Sequence, residues 1–344
     1  MSPEGHPVKA LKTRQATIFD VARLAGVSHQ TVSRVLNNLP NVRPTTREKV
    51  EVAIRQLSYT PSPAARALVT RRSATIAVLN TGAADFGPAS IAIGLCEAAG
   101  PANYTVTMSN SGGSDPESIR SVIVQFVRQN VEAIVVIAAR TASLEALSGI
   151  DLDIPLLTIE SAGRPGFHSV SLDQYRGARL AVRHLIDLGH TRIEHVAGPS
   201  DSLDALERLR GWRDELGEAG IAAPRPLQGY WTPDSGSDAA TELLARSDRG
   251  TAVFVANDQM ALGFMHTLER AGIRVPDDIS VIGYDDIPEA AYFTPPLTTM
   301  KQDFDALGRQ IMGHLLEVLR DPSAPSPTRF VPSLVVRESV RALR

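Results

Sequence analysis

G-V-S-H-Q-T-V-S-R-V-L-N-N, residues 26–38, combines an apolar and a polar face within one short stretch. Ser28 is a favoured N-cap residue, so a helix is predicted from His29 to about Asn38. The apolar face, expected to pack inward, consists of Val32, Val35 and Leu36. The polar face is then left open to a partner, and it consists of His29, Gln30, Thr31, Ser33 and Arg34.

Another short helix is predicted directly before this one. Thr17 and Asp20 have the spacing of a capping box, so the helix should begin at Ile18, and Gly26 is a natural C-terminal stop. Its expected apolar positions are Val21, Ala22 and Leu24. Two short helices joined by a tight turn that contains glycine form a helix-turn-helix pattern. In that pattern the N-terminal part of the second helix faces the major groove of DNA.

A third helix is predicted from Thr45 to about Leu57. The stretch T-T-R-E places Glu48 back toward the N-cap, as in a capping box. Val50 and Ile54, with Leu57, supply its apolar positions. The first 60 residues are therefore expected to fold as a small helical domain.

The side chains on the open face suit nucleic acid. Gln30 can donate and accept at a base edge, and Arg34 suits guanine. Thr31 and Ser33 suit phosphate or base contacts. The helix is thus predicted to contact DNA directly.

Charge is distributed unevenly along the chain, whose formal net charge is only −3. Residues 1–72 carry 12 lysines and arginines against four acidic residues, a formal charge of +8, while the remainder carries −11. A basic head on an acidic body indicates a polyanionic partner at one end only. The alternative, a solvated basic tail without a partner, is weakened because the charges alternate with helix signals.

Between head and body lies Y-T-P-S-P-A-A-R-A-L, residues 59–68. Pro63 fits the first turn of a short helix capped by Ser62, but a helix this short is unstable alone. One interpretation is a plain tether. The sharper hypothesis is a hinge helix that orders on DNA and inserts Leu68 into the minor groove, with Ala65 as a further contact.

Length and composition limit the protein class. A chain of 344 residues is expected to form two or three domains, and its 43% hydrophobic content is ordinary for a globular protein. No apolar run is long enough to span a membrane, and the N-terminus lacks the apolar core of a signal peptide. Cys96 stands alone, which suits a reducing cytoplasm, and its apolar neighbours predict that it is buried.

From Ser73 onward, apolar runs alternate with amphipathic ones, which predicts parallel sheets with helical crossovers. The predicted buried strands are A-T-I-A-V-L, Y-T-V-T-M, E-A-I-V-V-I, P-L-L-T-I, R-I-E-H-V, T-A-V-F-V-A and I-S-V-I-G-Y. The predicted helices include residues 116–129, 176–188 and 259–271. Ligands of such sheets bind beyond the carboxyl ends of the strands.

Polar residues follow several of these strands, where such a site would lie. Glu160 ends one strand, Asn257 and Asp258 follow another, and Asp285 and Asp286 end a third. Enzyme motifs are missing, since there is no G-x-S-x-G, phosphate-binding loop or G-x-G-x-x-G. Three histidines lack metal-ligand spacing and are interpreted as structural or surface residues: His184, His190 and His195. No cofactor or metal is expected.

The motifs together resemble the lactose-repressor (LacI/GalR) family of bacterial transcription regulators. The resemblance rests on T-I-F-D-V-A-R-L-A-G-V-S-H-Q-T-V-S-R-V-L-N, the Pro-Ala-Ala-Arg-Ala-Leu hinge, H-L-I-D-L-G-H-T-R-I, V-A-N-D-Q-M-A-L-G, D-I-S-V-I-G-Y-D-D and P-P-L-T-T-M-K-Q-D-F. It implies a head followed by two doubly wound, periplasmic-binding-protein-like lobes. The expected division is a disordered tail (1–15), the helix-turn-helix domain (16–60), the hinge (61–72) and the body (73–344), with lobe 1 at about 73–172 and 305–332 and lobe 2 at about 173–304 and 333–344.

The resemblance also implies two sets of contact residues. The predicted DNA contacts are Thr17, Ser28, His29, Gln30, Thr31, Ser33, Arg34, Asn37, Ala65 and Leu68. The predicted effector contacts are Asp85, Pro88, Ile91, Glu160, Arg208, Trp231, Asn257, Asp285, Gln302 and Phe304. Three positions depart from what the resemblance implies. His29 stands where the name-giving member of the family has a tyrosine, and Asp85 stands where that member has an apolar residue. Glu160 stands where relatives often have an aspartate. Trp212 is expected in the core, whereas Trp231 is expected to face the ligand.

The resulting hypothesis is a cytoplasmic, nucleoid-associated homodimer that represses carbohydrate genes. It would bind a palindromic operator in double-stranded DNA and be released by a sugar bound between the lobes. The chain ends without a heptad helix of the kind that forms tetramers, which favours a dimer. The alternatives are a family member that needs its ligand to bind DNA, and a sugar-binding or transport protein.

Overall fold

The computed structural model describes residues 16–36, 39–59, 72–82, 85–161 and 168–343. The chain divides into two compact units, a head unit within Met1–Ser73 and a body of Ala74–Arg344. None of the helices in these stretches has the length and apolarity needed to cross a membrane.

The head consists of three helices around one small core. They are α1 (Ile18–Ala25), α2 (His29–Leu36) and α3 (Pro44–Gln56). All three helices contribute to the buried cluster of Val21, Ala22, Val32, Val35, Val50 and Ala53. The apolar face predicted for the second helix is therefore confirmed as the inward face.

The predicted start of α1 is confirmed by its capping box. The Thr17 hydroxyl accepts from the Asp20 amide, and the Thr17 amide donates to the Asp20 carboxylate at 2.9 Å. The helix ends at Gly26, whose φ of 65° is left-handed and therefore favours glycine. Leu24 was expected among the apolar positions but is half exposed, because the helix turns this side chain away from the other two helices.

The start of α3 differs from the prediction. The helix begins at Pro44 with Arg43 as N-cap and without a side-chain cap, so the capping role expected of Glu48 is wrong. Proline has the φ of a first helical residue and no amide that needs a partner, so it starts the helix one residue earlier than Thr45.

The body alternates strands and helices. In chain order they are β1 (Thr75–Asn80), α4 (Phe86–Ala99), β2 (Thr105–Asn110), α5 (Pro116–Arg128), β3 (Ala133–Ile137), α6 (Thr141–Leu147), β4 (Leu156–Ile159), β5 (His168–Val170), α7 (Gln174–Asp187), β6 (Ile193–Ala197), α8 (Leu203–Glu218), β7 (Leu227–Gln228), α9 (Pro233–Leu244), β8 (Ala252–Val255), α10 (Asp258–Arg270), β9 (Ser280–Asp285), a 3-10 helix (Pro288–Tyr292), β10 (Thr298–Lys301), α11 (Phe304–Val318) and β11 (Ser333–Val335).

These elements form two lobes, each built on one sheet. The first sheet has the order β2-β1-β3-β4-β5 and is parallel throughout. The second has the order β11-β10-β9-β8-β6-β7, in which β11 alone among the described strands runs antiparallel to its neighbour. Helices bury apolar side chains on both faces of each sheet. The predicted fold class is thereby confirmed.

The strands differ from the prediction in two respects. All seven predicted strands are present, but β2 is an edge strand with a largely exposed pattern rather than a buried one, and its Met108 is half exposed. Four strands were missed: β5, β7, β10 and β11. Three of them, β5, β7 and β11, have only two or three residues and lie at sheet edges, where the apolar signal is weak.

Lobe 1 is completed by chain that follows lobe 2. Helix α11 packs against α4, and a Cβ atom added to Gly94 would lie 2.5 Å from the Phe304 carbonyl oxygen. Glycine at this position therefore lets the two helices approach closely. Where the chain returns to lobe 2, an isolated parallel β-bridge joins Phe330 to Leu172.

Cys96 is exposed, which corrects the prediction that it is buried. Its helix, α4, is apolar on nearly every side, so periodicity alone does not show which side packs inward. The contact with the sheet and α11 buries Ile91, Ala92, Leu95 and Ala99, and the thiol lies on the other side.

His195 lies in the core of lobe 2 between two aromatic rings. Its ring centroid is 5.2 Å from that of Trp212 and 4.8 Å from that of Phe254, and its Nδ1 donates to the Phe254 carbonyl at 2.9 Å. Burial lowers the pKa of His195 from 6.5 to about 4. Trp212 is fully buried, as predicted.

His195→Phe is expected to make the body less sensitive to acid. Between pH 6.5 and about 4, the imidazole of His195 is protonated in the unfolded chain but stays neutral in the folded protein. The free energy of unfolding is therefore unaffected above pH 6.5 and decreases below it, by up to roughly 3 kcal/mol. Phenylalanine keeps the stacking and removes this loss. Urea unfolding at pH 7 and pH 5 checks it, with exposed His266→Gln as the control; an unchanged pH dependence in His195→Phe would contradict the assignment.

Candidate functional site

A cleft opens between the lobes at the carboxyl ends of β3, β4, β8, β9 and β10. Its empty space, including the open mouth, is about 750 Å³. All ten predicted effector residues line it: Asp85, Pro88, Ile91, Glu160, Arg208, Trp231, Asn257, Asp285, Gln302 and Phe304.

Arg208 is the buried centre of the lobe 2 wall. It projects from α8, donates from Nε to Gln174 Oε1 at 3.0 Å and from Nη1 to the Ala256 carbonyl, and lies 3.5 Å from Asp285 Oδ1. Its guanidinium also stacks 3.8 Å from the centroid of the Tyr284 ring. These contacts fix the plane of the guanidinium at the wall of the cleft.

Asp285 ends β9 at the bottom of the cleft. Its Oδ1 accepts from Gln302 Nε2 at 2.6 Å, and Gln302 Oε1 accepts from Gln174 Nε2 at 2.9 Å. Burial raises the pKa of Asp285 to about 6, although the charge of Arg208 opposes the shift. Its φ of 112° is uncommon for a residue other than glycine, and such strain clusters at functional sites.

Trp231 and Asn257 stand beside each other. Trp231 has a φ of 68° and packs its ring onto Gly198, where any Cβ atom would lie 2.3 Å from Trp231 Cη2. Asn257 caps α10 by accepting from the Met260 amide, and its Nδ2 donates to the Trp231 carbonyl at 3.1 Å. Asn257 therefore positions the tryptophan as well as lining the cleft.

The lobe 1 wall is formed by the start of α4 and by Phe304. The rings of Phe86 and Phe304 meet edge to face at 5.8 Å. Asp85 precedes the helix without capping it through its side chain. Partial burial raises the pKa of Asp85, and the positive charge of Arg140 opposes that shift.

Direct contacts join the lobes next to the cleft. Arg140 of lobe 1 pairs with Asp201 of lobe 2 at 2.5 Å, and the Ser161 hydroxyl donates to Asp204 at 2.6 Å. The Leu203 amide donates to the Ala139 carbonyl at 3.1 Å. The relative position of the lobes is thus tied to the residues at the edge of the cleft.

In the head, the polar side chains of α2 are open or partly open, as predicted. His29, Gln30 and Arg34 are exposed, and Thr31 and Ser33 are intermediate. Ser28 caps α2 by accepting from the Thr31 amide at 3.2 Å. Asn37, Ala65 and Leu68 lie outside the described residues, as do the predicted tail, nearly all of the hinge segment and the predicted helix end at Asn38.

Comparisons with known proteins agree with the helical head and with the two-lobed body. Residues 17–62 match the model of the bacterial regulatory proteins, lacI family, and residues 182–340 match that of the periplasmic binding protein-like domain. The lactose operon repressor of Escherichia coli (strain K12) is 34% identical over 96% of this chain and 92% of its own length. The chain belongs to the LacI family.

Other LacI-family proteins are similarly close. The HTH-type transcriptional repressor PurR of Vibrio campbellii is 37% identical over 95% of this chain and 99% of its own. The crystal structure of the Lac repressor dimer bound to operator and the anti-inducer ONPF superposes with a TM-score of 0.87 at 34% identity, covering 96% of this chain and 100% of that one. The transcriptional regulator CelR–cellobiose complex superposes with a TM-score of 0.69 at 31% identity, covering 94% of this chain and 99% of that one.

Several cleft residues of this LacI-family protein were missed in the sequence. They include Phe86, Ser161, Gln174, Ser202 and Asp204. Most of them lie at or near helix starts rather than strand ends. Asp204 stands four residues before Arg208 on one helical face, a spacing that could have indicated a partner for the arginine.

The head also holds an aromatic contact that the sequence did not suggest. Phe19 is 61% exposed, and its ring centroid lies 5.2 Å from that of His29. Phe19 therefore helps to set the position of the first side chain of α2.

Proposed function

We propose that this protein is a dimeric transcriptional repressor that leaves a palindromic operator when a small sugar binds between its lobes. The observation that carries the proposal is the cleft, which brings together all ten predicted effector residues in a chain that also has a helix-turn-helix head. Two related structures support it, since one is a Lac repressor dimer bound to operator and the other is a complex of the transcriptional regulator CelR with cellobiose.

The proposed DNA contacts are the open side chains of α2, namely His29, Gln30, Thr31, Ser33 and Arg34, with Thr17, Ser28 and Asn37 beside them. Exposure supports the α2 assignments, because these side chains do not take part in the head core. The hydroxyls of Thr17 and Ser28 are engaged in capping, so we assign them secondary contacts with phosphate. Ala65 and Leu68 are proposed for the minor groove from the sequence alone.

Arg34→Ala is expected to weaken operator binding by about 1–3 kcal/mol and to relax preference at one base pair. The reason is the loss of a bidentate contact from an exposed guanidinium on α2 to guanine. Fluorescence anisotropy on operator and random DNA at one salt concentration measures it. Equal losses on both DNAs would assign Arg34 to phosphate instead.

The domain limits, the absence of catalysis and the location in the cell are also proposals. The boundaries are those of the tail (1–15), head (16–60), hinge (61–72) and body (73–344), and the two sheets support the division of the body into lobes. We infer that the protein is not an enzyme, since its relatives are repressors. We also infer that the protein lies in the cytoplasm, with the nucleoid, because the proposed operator is chromosomal DNA.

A panel of monosaccharides and disaccharides tests the proposal most directly. Anisotropy of labelled DNA from the gene's upstream region is measured with and without each sugar, at fixed salt. We expect tight binding that collapses with one sugar. Binding that requires a ligand would instead indicate corepressor control, and failure to bind this DNA in either state would contradict the proposal.

A further inference from the structure

Among the described residues that line the cleft, carboxylate side chains outnumber cationic ones. Among the lining residues within 85–161 and 168–343, four are carboxylates and one is a guanidinium: Asp85, Glu160, Asp204, Asp285 and Arg208. The formal excess among these described residues is three negative charges. An anion that enters must therefore approach more carboxylates than cations.

Arg208 does not provide a free positive charge for an anionic ligand. It lies 3.5 Å from Asp285 and 3.9 Å from Asp204, and it already donates to Gln174 and to the Ala256 carbonyl. Only about 4% of its side chain is exposed. Its charge is thus largely balanced by the protein itself.

The nearby cation of lobe 1 is balanced as well. Arg140 pairs with Asp201 of the opposite lobe at 2.5 Å at the edge of the cleft. The positive charge of Arg140 lowers the pKa of Asp85, but burial raises that pKa by more, so the net shift is upward. Asp85 therefore lies on the lobe 1 wall as a half-buried carboxyl group that forms no direct ion pair with the residues that the structure describes.

We propose that the cleft selects its effector by charge, accepting neutral sugars and amino sugars and rejecting phosphorylated or carboxylated ones, with Asp85 as a residue that sets this selectivity. The inference rests on the proposed function, which makes the cleft the effector site. A carboxylate accepts hydrogen bonds from a hydroxyl or an ammonium group but repels a phosphate. Partial burial strengthens this repulsion, because solvent screens it less than at an open surface.

Titration of the full-length protein with two matched sets of sugars tests the proposal. The probes are glucose, glucosamine and glucose 6-phosphate, and the corresponding galactose series. Binding of each probe is measured by the change in the fluorescence of Trp231 in the cleft. We expect at least one neutral sugar to bind, its amino derivative to bind no more weakly, and its phosphate to bind at least tenfold more weakly. A phosphate that binds as tightly as its parent sugar overturns the charge selectivity and leaves the proposed function intact.

Substitution of Asp85 completes the test. Asp85→Asn is expected to reduce the ratio between the dissociation constants of phosphate and parent sugar at least threefold. Asp153→Asn removes an exposed carboxylate of the same lobe outside the cleft and is expected to leave that ratio unchanged. An unchanged ratio in Asp85→Asn overturns the role of Asp85, whereas failure of every probe to bind contradicts the sugar effector of the proposed function and this inference with it.

Discussion

The Arg208→Met variant is expected to lose about 3–5 kcal/mol of unfolding free energy and its entire effector response. Methionine fills the space of the arginine stem but leaves the buried carboxylate of Asp285 without its cation. Burial already raises the pKa of Asp285, and Arg208 is the main group that opposes this shift. The uncompensated carboxyl group is expected to take up a proton near neutral pH.

Urea unfolding of the Arg208→Met body, together with operator binding in the presence of the effector, measures both losses. Arg210→Met is the matched control, because Arg210 lies on the same helix but is about half exposed; its ion pair with Glu207 contributes at most about 1 kcal/mol. The double variant Arg208→Met/Asp285→Asn should recover most of the stability and none of the response. A double variant as unstable as Arg208→Met would refute the charge argument.

The second large effect is expected in the head. Val32→Asn places an amide without a partner in the centre of the three-helix core, where Val32 is fully buried. The loss of apolar burial and the desolvated amide together cost roughly 3 kcal/mol. A domain of this size has little stability in reserve, so the head should unfold. Operator affinity should then fall by up to about a hundredfold for each head, since every 1.4 kcal/mol corresponds to a factor of ten.

Anisotropy on operator DNA measures this loss, and sugar binding by the same protein serves as the internal control. Because the body is a separate compact unit, its sugar affinity should be unchanged. Val52→Asn introduces the same amide at a position of α3 that is 38% exposed, and it should retain operator binding within about threefold. Equal losses in the two variants would show that the amide acts through the DNA surface rather than through the core.

Features that depend on neighbours in sequence could be predicted. The Thr17–Asp20 capping box and the left-handed Gly26 follow from interactions within four residues, so the start and end of α1 were found. The cleft residues Glu160, Asn257 and Asp285 were found for a related reason. Each follows a strand, and parallel strands bring their carboxyl ends to one edge of the sheet.

Features that depend on distant packing could not be predicted. Cys96 was assigned to the core because α4 is apolar all round, but α11, some 200 residues later, decides which side of α4 is buried. The antiparallel direction of β11 likewise depends on where the chain re-enters lobe 2. Gln174 and Asp204 reach the cleft from helix starts, and nothing local to them indicates that the two lobes meet there.

The completion of lobe 1 by α11 has a consequence for how the protein is made. A ribosome has synthesised the strands of the first sheet by residue 170, yet the helix that covers one face of that sheet starts at residue 304. At about 5–20 residues per second, this leaves a delay on the order of ten seconds. During that interval the apolar side of α4 that receives α11 is open to chaperones. Nascent chains arrested near residue 300 should therefore be bound by chaperones, and release should follow once α11 has left the exit tunnel.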